Sequence, residues 1–191
     1  MSNKVFMALL AIIGVGVIGF FVINLRTHPK EATIGVLHSN QGQLHISPGQ
    51  KHIAYNSQPA TSGPHRNDSQ APTPWGIYTQ EIPPEVYVHN EEHGGIFVSY
   101  NPTLLPADQL TKLQQLFAPP YSNKSFKPTK AIVGPLAADT HAIQIGAWTY
   151  TLNMDSYDEA TLMKFYYQHE GKAPEPAGGP NNMPINQAKN Q

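Results

Sequence analysis

Pro83-Pro84-Glu85-Val86-Tyr87-Val88-His89-Asn90-Glu91-Glu92-His93-Gly94-Gly95-Ile96-Phe97-Val98-Ser99-Tyr100 sets two histidines four apart beside two carboxylates, then passes through a glycine pair into an apolar run. The run after Gly95 reads as a buried strand. What precedes it is open between two readings. Val86, Tyr87 and Val88 favour strand. A proline pair before and a glycine pair after bracket nine residues, 85–93, which allows two turns of helix with proline at its start and glycine at its C-terminal cap. The choice decides the chemistry. On a helix, side chains at i and i+4 are neighbours and can share one ion at about 2.0 to 2.1 Å; on a strand the same two residues lie about 13 Å apart.

Outward from this stretch, composition sets limits. A chain of 191 residues with 40% apolar content has room for one domain with a real core, plus appendages. With 12 basic and 13 acidic residues the formal charge is −1, so there is no large basic surface to neutralise a phosphate backbone, and nucleic acid is not an expected partner. The 18 prolines and 15 glycines imply many fixed turns held by packing and weigh against helical repeats. Zero cysteines remove disulfides, thiolate metal sites and cysteine nucleophiles together. A transition-metal site must then use histidine, carboxylate or methionine.

Val5 to Leu25 is an apolar run of 21 residues, interrupted by Gly14, Gly16, Gly19 and Asn24. At 1.5 Å per residue it is long enough for a hydrocarbon core of about 30 Å, and no small-residue cleavage site precedes Pro29. Residues 1–26 are therefore expected to form a retained, single-pass transmembrane anchor that enters the membrane through residues 5–25. Lys4 on one flank and Arg26 and Lys30 on the other leave its orientation open. The three glycines would let two such helices approach closely, which allows a homodimer. Residues 27–33 read as a tether.

Ile34-Gly35-Val36-Leu37 and Leu44-His45-Ile46, split by the turn-forming Asn40-Gln41-Gly42, suggest a small hairpin. Ser47 to Pro84 is crowded with Pro, Gly, Ser and Asn and is expected as a long loop, a kind that is often functional. Inside it, Gln58-Pro59-Ala60-Thr61-Ser62-Gly63-Pro64-His65 places His65 on stiff backbone. Trp75-Gly76-Ile77-Tyr78 reads as an aromatic plug of the core. Beyond Tyr100, Leu110, Leu113, Leu116 and Phe117 share one face of a helix over 106–117, which stops before Pro119-Pro120. Residues 130–134 read as a short strand and 142–152 as a longer one. Asp155 or Ser156 is placed to cap a helix over 157–168. From 171 to 191 Pro, Gly, Asn and Gln dominate, and a disordered tail is expected. The order gives the α+β class: a compact mixed β-sheet domain over 34–170, with two main helices and a long Pro/Gly-rich loop, preceded by the one transmembrane helix.

His89, Glu92 and His93 spell H-x-x-E-H, the pattern of inverted zinc peptidases. Nine residues between brackets cannot supply the long helix of that scaffold. Ser62-Gly63 is not a nucleophile elbow, and the sequence has no phosphate-binding loop or dinucleotide fingerprint. A smaller requirement is that His89 and His93 meet round a turn while His65 arrives from its loop. His65, His89 and His93, with Glu92 beside them, would suit zinc or copper. His38, His45, His52, His141 and His169 are scattered and read as surface or hydrogen-bonded histidines, and Met154 and Met163 as core. The opposing reading leaves each of the three histidines bonded separately to backbone or carboxylate, with Glu91 and Glu92 in solvent. A third, a metallohydrolase, requires an open coordination position with Glu92 near it as base.

With these residues in hand, the chain resembles the family called domain of unknown function 3105. The resemblance is carried by Tyr55, by Pro59-Ala60-Thr61-Ser62-Gly63-Pro64-His65, by Trp75-Gly76-Ile77-Tyr78, by Val88-His89-Asn90-Glu91-Glu92-His93-Gly94-Gly95 with Tyr100, and by the closing Pro174-Glu175-Pro176. Glu91 stands where leucine is common in the family, and Ala60 where proline is frequent. The resemblance implies a single-pass anchored protein with its domain outside the cytoplasm, on the periplasmic or extracellular side, and implies no activity. The expectation is a membrane-anchored extracytoplasmic domain that binds a transition metal through His65, His89, His93 and Glu92. It would serve metal handling or an envelope protein complex. The alternatives are a metal-free structural or interaction subunit of such a complex and an envelope metallohydrolase; no catalytic residue and no substrate is assigned.

Overall fold

The computed structural model describes residues 31–179, together with Met7, Ile13, Val17, Ile18 and Phe20. The expected anchor over Val5 to Leu25 lies, those five residues apart, outside the described residues, as do 180–191 of the expected tail. Among the described residues no helix is long and apolar enough to cross a membrane. The compact unit that carries the elements below begins at Ile34.

In that unit the chain runs through β1 (Val36–Leu37), β2 (His45–Ile46), β3 (His65–Arg66), β4 (Gly76–Ile77), α1 (Pro84–Glu92), β5 (Ile96–Tyr100) and α2 (Ala107–Phe117). It continues with β6 (Ala131–Pro135), β7 (Ile143–Ala147), β8 (Tyr150–Met154) and α3 (Glu159–His169). This is the mixed α+β class, with three helices rather than the two main ones expected. The additional helix is α1, the bracketed stretch that the sequence leaves open. Six strands form one sheet in the order β1-β8-β7-β5-β6-β4, while β2 pairs with β3 apart from it. β5 and β4 both run parallel to β6, and the β5-β7, β7-β8 and β1-β8 pairs are antiparallel.

Several expected elements are regrouped. Residues 34–46 make no hairpin: β1 and β2 pair instead with strands distant in sequence, β1 with β8 and β2 with β3. The long strand expected over 142–152 is the hairpin β7-β8, which turns at Trp148 and Thr149. Thr149 takes φ 65 there, a left-handed position that a β-branched residue does not advertise. Asp158, not Asp155 or Ser156, caps α3, its carboxylate accepting the Thr161 N–H at 2.7 Å.

α1 is helical because burial outweighs propensity. Helix propensity costs a valine or tyrosine less than about 0.7 kcal/mol, whereas full burial of such a side chain contributes about 1.5 to 3 kcal/mol. Val86, Tyr87 and Val88 are all buried. Pro84 opens the helix, and Gly94 just beyond its end takes φ +78, the left-handed conformation of a helix C-terminus.

β5, β6 and β7 are buried along their whole length, as in a sheet covered on both faces. Alternation puts Phe97, Ser99, Gln144 and Gly146 on one face. α1 and the loop before β3 cover it: Tyr87 stacks on Phe97 with ring centroids 4.0 Å apart, and Gln144 Nε2 donates to Gln58 O. Phe117 of α2, Phe126 and Tyr166 of α3 interlock edge to face. Trp75 and Tyr78 are buried in the same core, as the plug reading expects.

Residues 171–179, expected as the start of a disordered tail, are tied to the end of α1. Gly171 N–H donates to Gly94 O at 2.9 Å and Glu175 N–H to Glu92 O at 3.0 Å. A helix end leaves carbonyls without intrahelical partners, and a buried end must find donors elsewhere; this segment supplies them.

Candidate metal centre

α1 has no solvent face, because every residue from Val86 to Glu92 is buried. Polar residues on such a helix must each find a partner. Asn90 Oδ1 accepts the Thr73 N–H at 3.0 Å, and its Nδ2 donates to Thr73 O at 2.7 Å. His89 Nδ1 lies 2.6 Å from Arg66 O, and Glu92 Oε1 accepts from Gln43 Nε2 at 2.8 Å. Glu91 is different: among the described residues, its two oxygens are the buried side-chain atoms without a hydrogen-bond partner. Burial pushes that carboxyl well above the usual range, which makes it a neutral acid. It is packed among Gly146, Pro59 and Thr61. The alternative that leaves Glu91 and Glu92 in solvent is thereby corrected, since a helix enclosed on every side carries both inward.

Three imidazoles converge on one oxygen of Glu92. Glu92 Oε2 stands 3.1 Å from His65 Nε2, 3.6 Å from His45 Nε2 and 3.8 Å from His89 Nε2. Ligands at 2.0 to 2.1 Å from one tetrahedral ion lie about 3.3 to 3.4 Å apart, and these three distances bracket that value. Ligand atoms of His45, His65, His89 and Glu92 all lie within 4.8 Å of one another. Local structure explains the arrangement. The parallel register of β2 and β3 sets His45 directly beside His65, and α1 presents His89 and Glu92 at i and i+3 on one face. The backbone before His65 is held by Tyr55, whose hydroxyl donates to Pro64 O at 2.5 Å, and by the Gly63 N–H donating to Gly42 O at 3.0 Å. His65, Glu92 and His89 are 0%, 1% and 3% exposed, whereas the His45 side chain is 43% exposed, so the cluster meets solvent at His45.

Protonation sharpens the geometry. His65 Nδ1 lies 2.8 Å from Gly63 O, as His89 Nδ1 does 2.6 Å from Arg66 O. A carbonyl only accepts, so each Nδ1 carries a proton and Nε2 is the ring nitrogen left facing Glu92, that of His65 within hydrogen-bond distance of Oε2 at 3.1 Å. Burial, reinforced by the neighbouring rings of His65 and His93, lowers His89 to about 4, so it is neutral at pH 7. Burial raises Glu92, but the Gln43 bond and the nearby His65 and His89 outweigh it and hold the carboxyl below its ordinary value. Nε2 atoms of three imidazoles thus gather round one carboxylate oxygen, a donor set suited to a cation. A single proton satisfies one pair; a metal ion satisfies all four groups at once. At the open side, Asn67 Nδ2 donates to His45 Nδ1 at 3.3 Å, and a half-turn of that amide offers its oxygen instead and frees Nε2 as a ligand.

Of the residues singled out in the sequence, His65, His89 and Glu92 come together and His93 does not join them. His93 follows the helix as its C-cap, with φ −88 and ψ 17. Its ring lies 4.9 Å from that of His89, but its Nδ1 is drawn to Glu175 O at 2.9 Å, and it groups with Glu92 and Glu175. The pair used at the Oε2 cluster is therefore i, i+3 rather than i, i+4. Sequence reasoning missed His45, which was set aside as scattered. Its signal was position within the strand-like Leu44-His45-Ile46 segment, but nothing local shows that β2 pairs with β3.

Residues 45–182 match the family described as "Protein of unknown function (DUF3105)", and the chain belongs to that family. No curated protein and no solved structure matches the chain. The matched range opens on His45 and takes in every residue of the cluster.

Proposed function

We propose that this member of the family is a metal-binding domain that holds a divalent ion of the zinc–copper class through His45, His65, His89 and Glu92. The observation that supports it is the convergence of three Nε2 atoms on Glu92 Oε2 at 3.1 to 3.8 Å, in a place from which water is largely excluded. Imidazole and carboxylate donors without thiolate or thioether suit Zn²⁺ or Cu²⁺ better than Cu⁺. Four protein donors complete a tetrahedral shell, the mark of a site that keeps its ion rather than activating water on it. This favours metal handling over hydrolysis. Exchange with solvent or with a partner would proceed at His45, the exposed ligand.

In the same reading, Val5 to Leu25 anchors the protein in a membrane and the domain stands on the extracytoplasmic side, where it would hold its ion for an envelope partner. That placement rests on the 21-residue apolar run and on the family resemblance. The test of metal binding is elemental analysis of the full chain, purified in detergent and reconstituted with zinc or copper. At least one tightly bound ion per chain is expected. The double variant H45A/E92Q, with an unchanged circular-dichroism spectrum, is expected to lose at least 100-fold in affinity. Equal metal content in wild type and variant overturns the reading.

A further inference from the structure

His93 and Glu175 are left over by that centre, yet the fold brings both close to the same Glu92 carboxylate. Ligand atoms of Glu92, His93 and Glu175 lie within 4.8 Å of one another. His93 Nδ1 donates to Glu175 O at 2.9 Å, so Nε2 is the ring nitrogen that this bond leaves free. The ring is clamped as well as oriented: a Cβ on Gly178 would meet His93 Cε1 and Nδ1 at 2.4 Å, so bare backbone lies against the imidazole. Such orientation of the far nitrogen by a carbonyl is what metal-ligating histidines show.

Glu175 is equally constrained although its side chain is exposed. Prolines 174 and 176 flank it, and its N–H donates to Glu92 O at 3.0 Å. Buried Lys130 spans the join, Nζ donating to His93 O at 3.0 Å and to Pro176 O at 2.6 Å. With that ammonium committed to two carbonyls, carboxylate oxygens of Glu92 and Glu175 lie near each other and near a ring nitrogen of His93. Three electron-rich donors again share a small space.

We propose that a second divalent cation of the zinc class binds beside the first, held by His93, Glu175 and Glu92, with Glu92 bridging the two ions. A carboxylate has two oxygens and about four lone-pair positions, enough to serve both sides. Ions in two-metal sites lie about 3.5 to 4 Å apart, a spacing that suits the 4.9 Å between the His89 and His93 rings. One nitrogen and two carboxylates leave a coordination position for water, and one ligand faces solvent. The second ion is therefore the weaker and faster to exchange. Because Glu92 is shared, this site rests on the first.

Equilibrium dialysis of the full chain in detergent against zinc, at free concentrations spanning both sites, measures the stoichiometry. Two zinc ions per wild-type chain are expected. In E175A, and in E175Q in parallel, one is expected, with the tighter affinity changed by less than about threefold; the backbone bonds at 175 survive either change. One zinc in wild type, or two in both variants, overturns the second site and leaves the first standing. No zinc in wild type overturns both.

Discussion

Glu91 and Glu92, consecutive in α1, deliver their carboxyls to two different interiors: Glu92 Oε2 stands 3.1 Å from His65 Nε2, whereas neither oxygen of Glu91 has a hydrogen-bond partner among the described residues. One interior is lined with imidazoles and stabilises an anion; the other is lined with Gly146, Pro59 and Thr61 and does not. Adjacent residues of one type are thus ionised and neutral side by side.

Replacing Glu91 with leucine removes an unpartnered buried acid, which costs on the order of 1 to 3 kcal/mol where it stands. E91L is expected to raise the urea midpoint and to leave metal content unchanged. The sign with pH follows from the raised folded-state value. The stability contributed by Glu91 is full below the unfolded value near pH 4 and is lost as pH rises. The advantage of E91L should therefore widen from pH 5 to pH 8. A constant difference across that range would refute the neutral-acid assignment.

His89 shifts in the other direction, down to about 4. Its contribution is full above the unfolded value of about 6.5 and is lost as pH falls from there toward 4, by at most about 1.4 kcal/mol per pH unit. Chelator-treated protein should lose urea resistance between pH 6.5 and 4, and H89Q should flatten that slope. Parallel slopes in the two proteins would count against a neutral His89.

The exposed and buried ligands should separate under mutation. H45A is expected to weaken zinc by about 10-fold or more while changing metal-free stability by less than about 0.5 kcal/mol, as for a surface substitution. H65A removes a ring that is 0% exposed and is expected to cost about 2 to 4 kcal/mol even without metal, by analogy with large-to-small core changes. Zinc competition assays and denaturation of the chelated forms measure the two effects. Equal stability losses would contradict the difference in burial.

Gly94 carries two demands: φ +78, and a Cβ position 2.7 Å from Gly171 Cα. G94A is expected to destabilise by about 1 to 3 kcal/mol and to loosen residues 171–179. Limited proteolysis should cut that segment faster in the variant than in wild type. An unchanged cleavage rate would mean that the contact with Gly171 does not hold the segment down.

Much of the sheet and of the site was legible in the sequence because local pattern dictated it. Ile96 to Tyr100 are buried throughout, Leu113, Leu116 and Phe117 are buried and Leu110 half-buried, as their spacing marks them, and the Pro-Pro and Gly-Gly brackets bound a helix of nine residues. His65, His89 and Glu92 were visible because stiff backbone and close spacing flagged them. What escaped depends on partners distant in the chain. His45 enters through a parallel pairing with His65, 20 residues further on, and Glu175 through donors that satisfy the end of α1. Thr149 turned a strand into a hairpin without glycine or asparagine to announce it. His93 left its expected place because the helix stops one residue earlier and releases its side chain toward the 175–179 segment.

With an ion bound, the placement of His45, His65, His89 and Glu92 would also give this cysteine-free chain a substitute for a disulfide. An ion joining residues 45, 65 and 89 would cross-link three segments and close two loops of roughly 20 and 24 residues. By the loop-closure entropy of covalent bridges, each is worth about 3 kcal/mol taken from the unfolded ensemble. The staple would be indifferent to reductants and oxidants, and it would come undone when the ion is handed on.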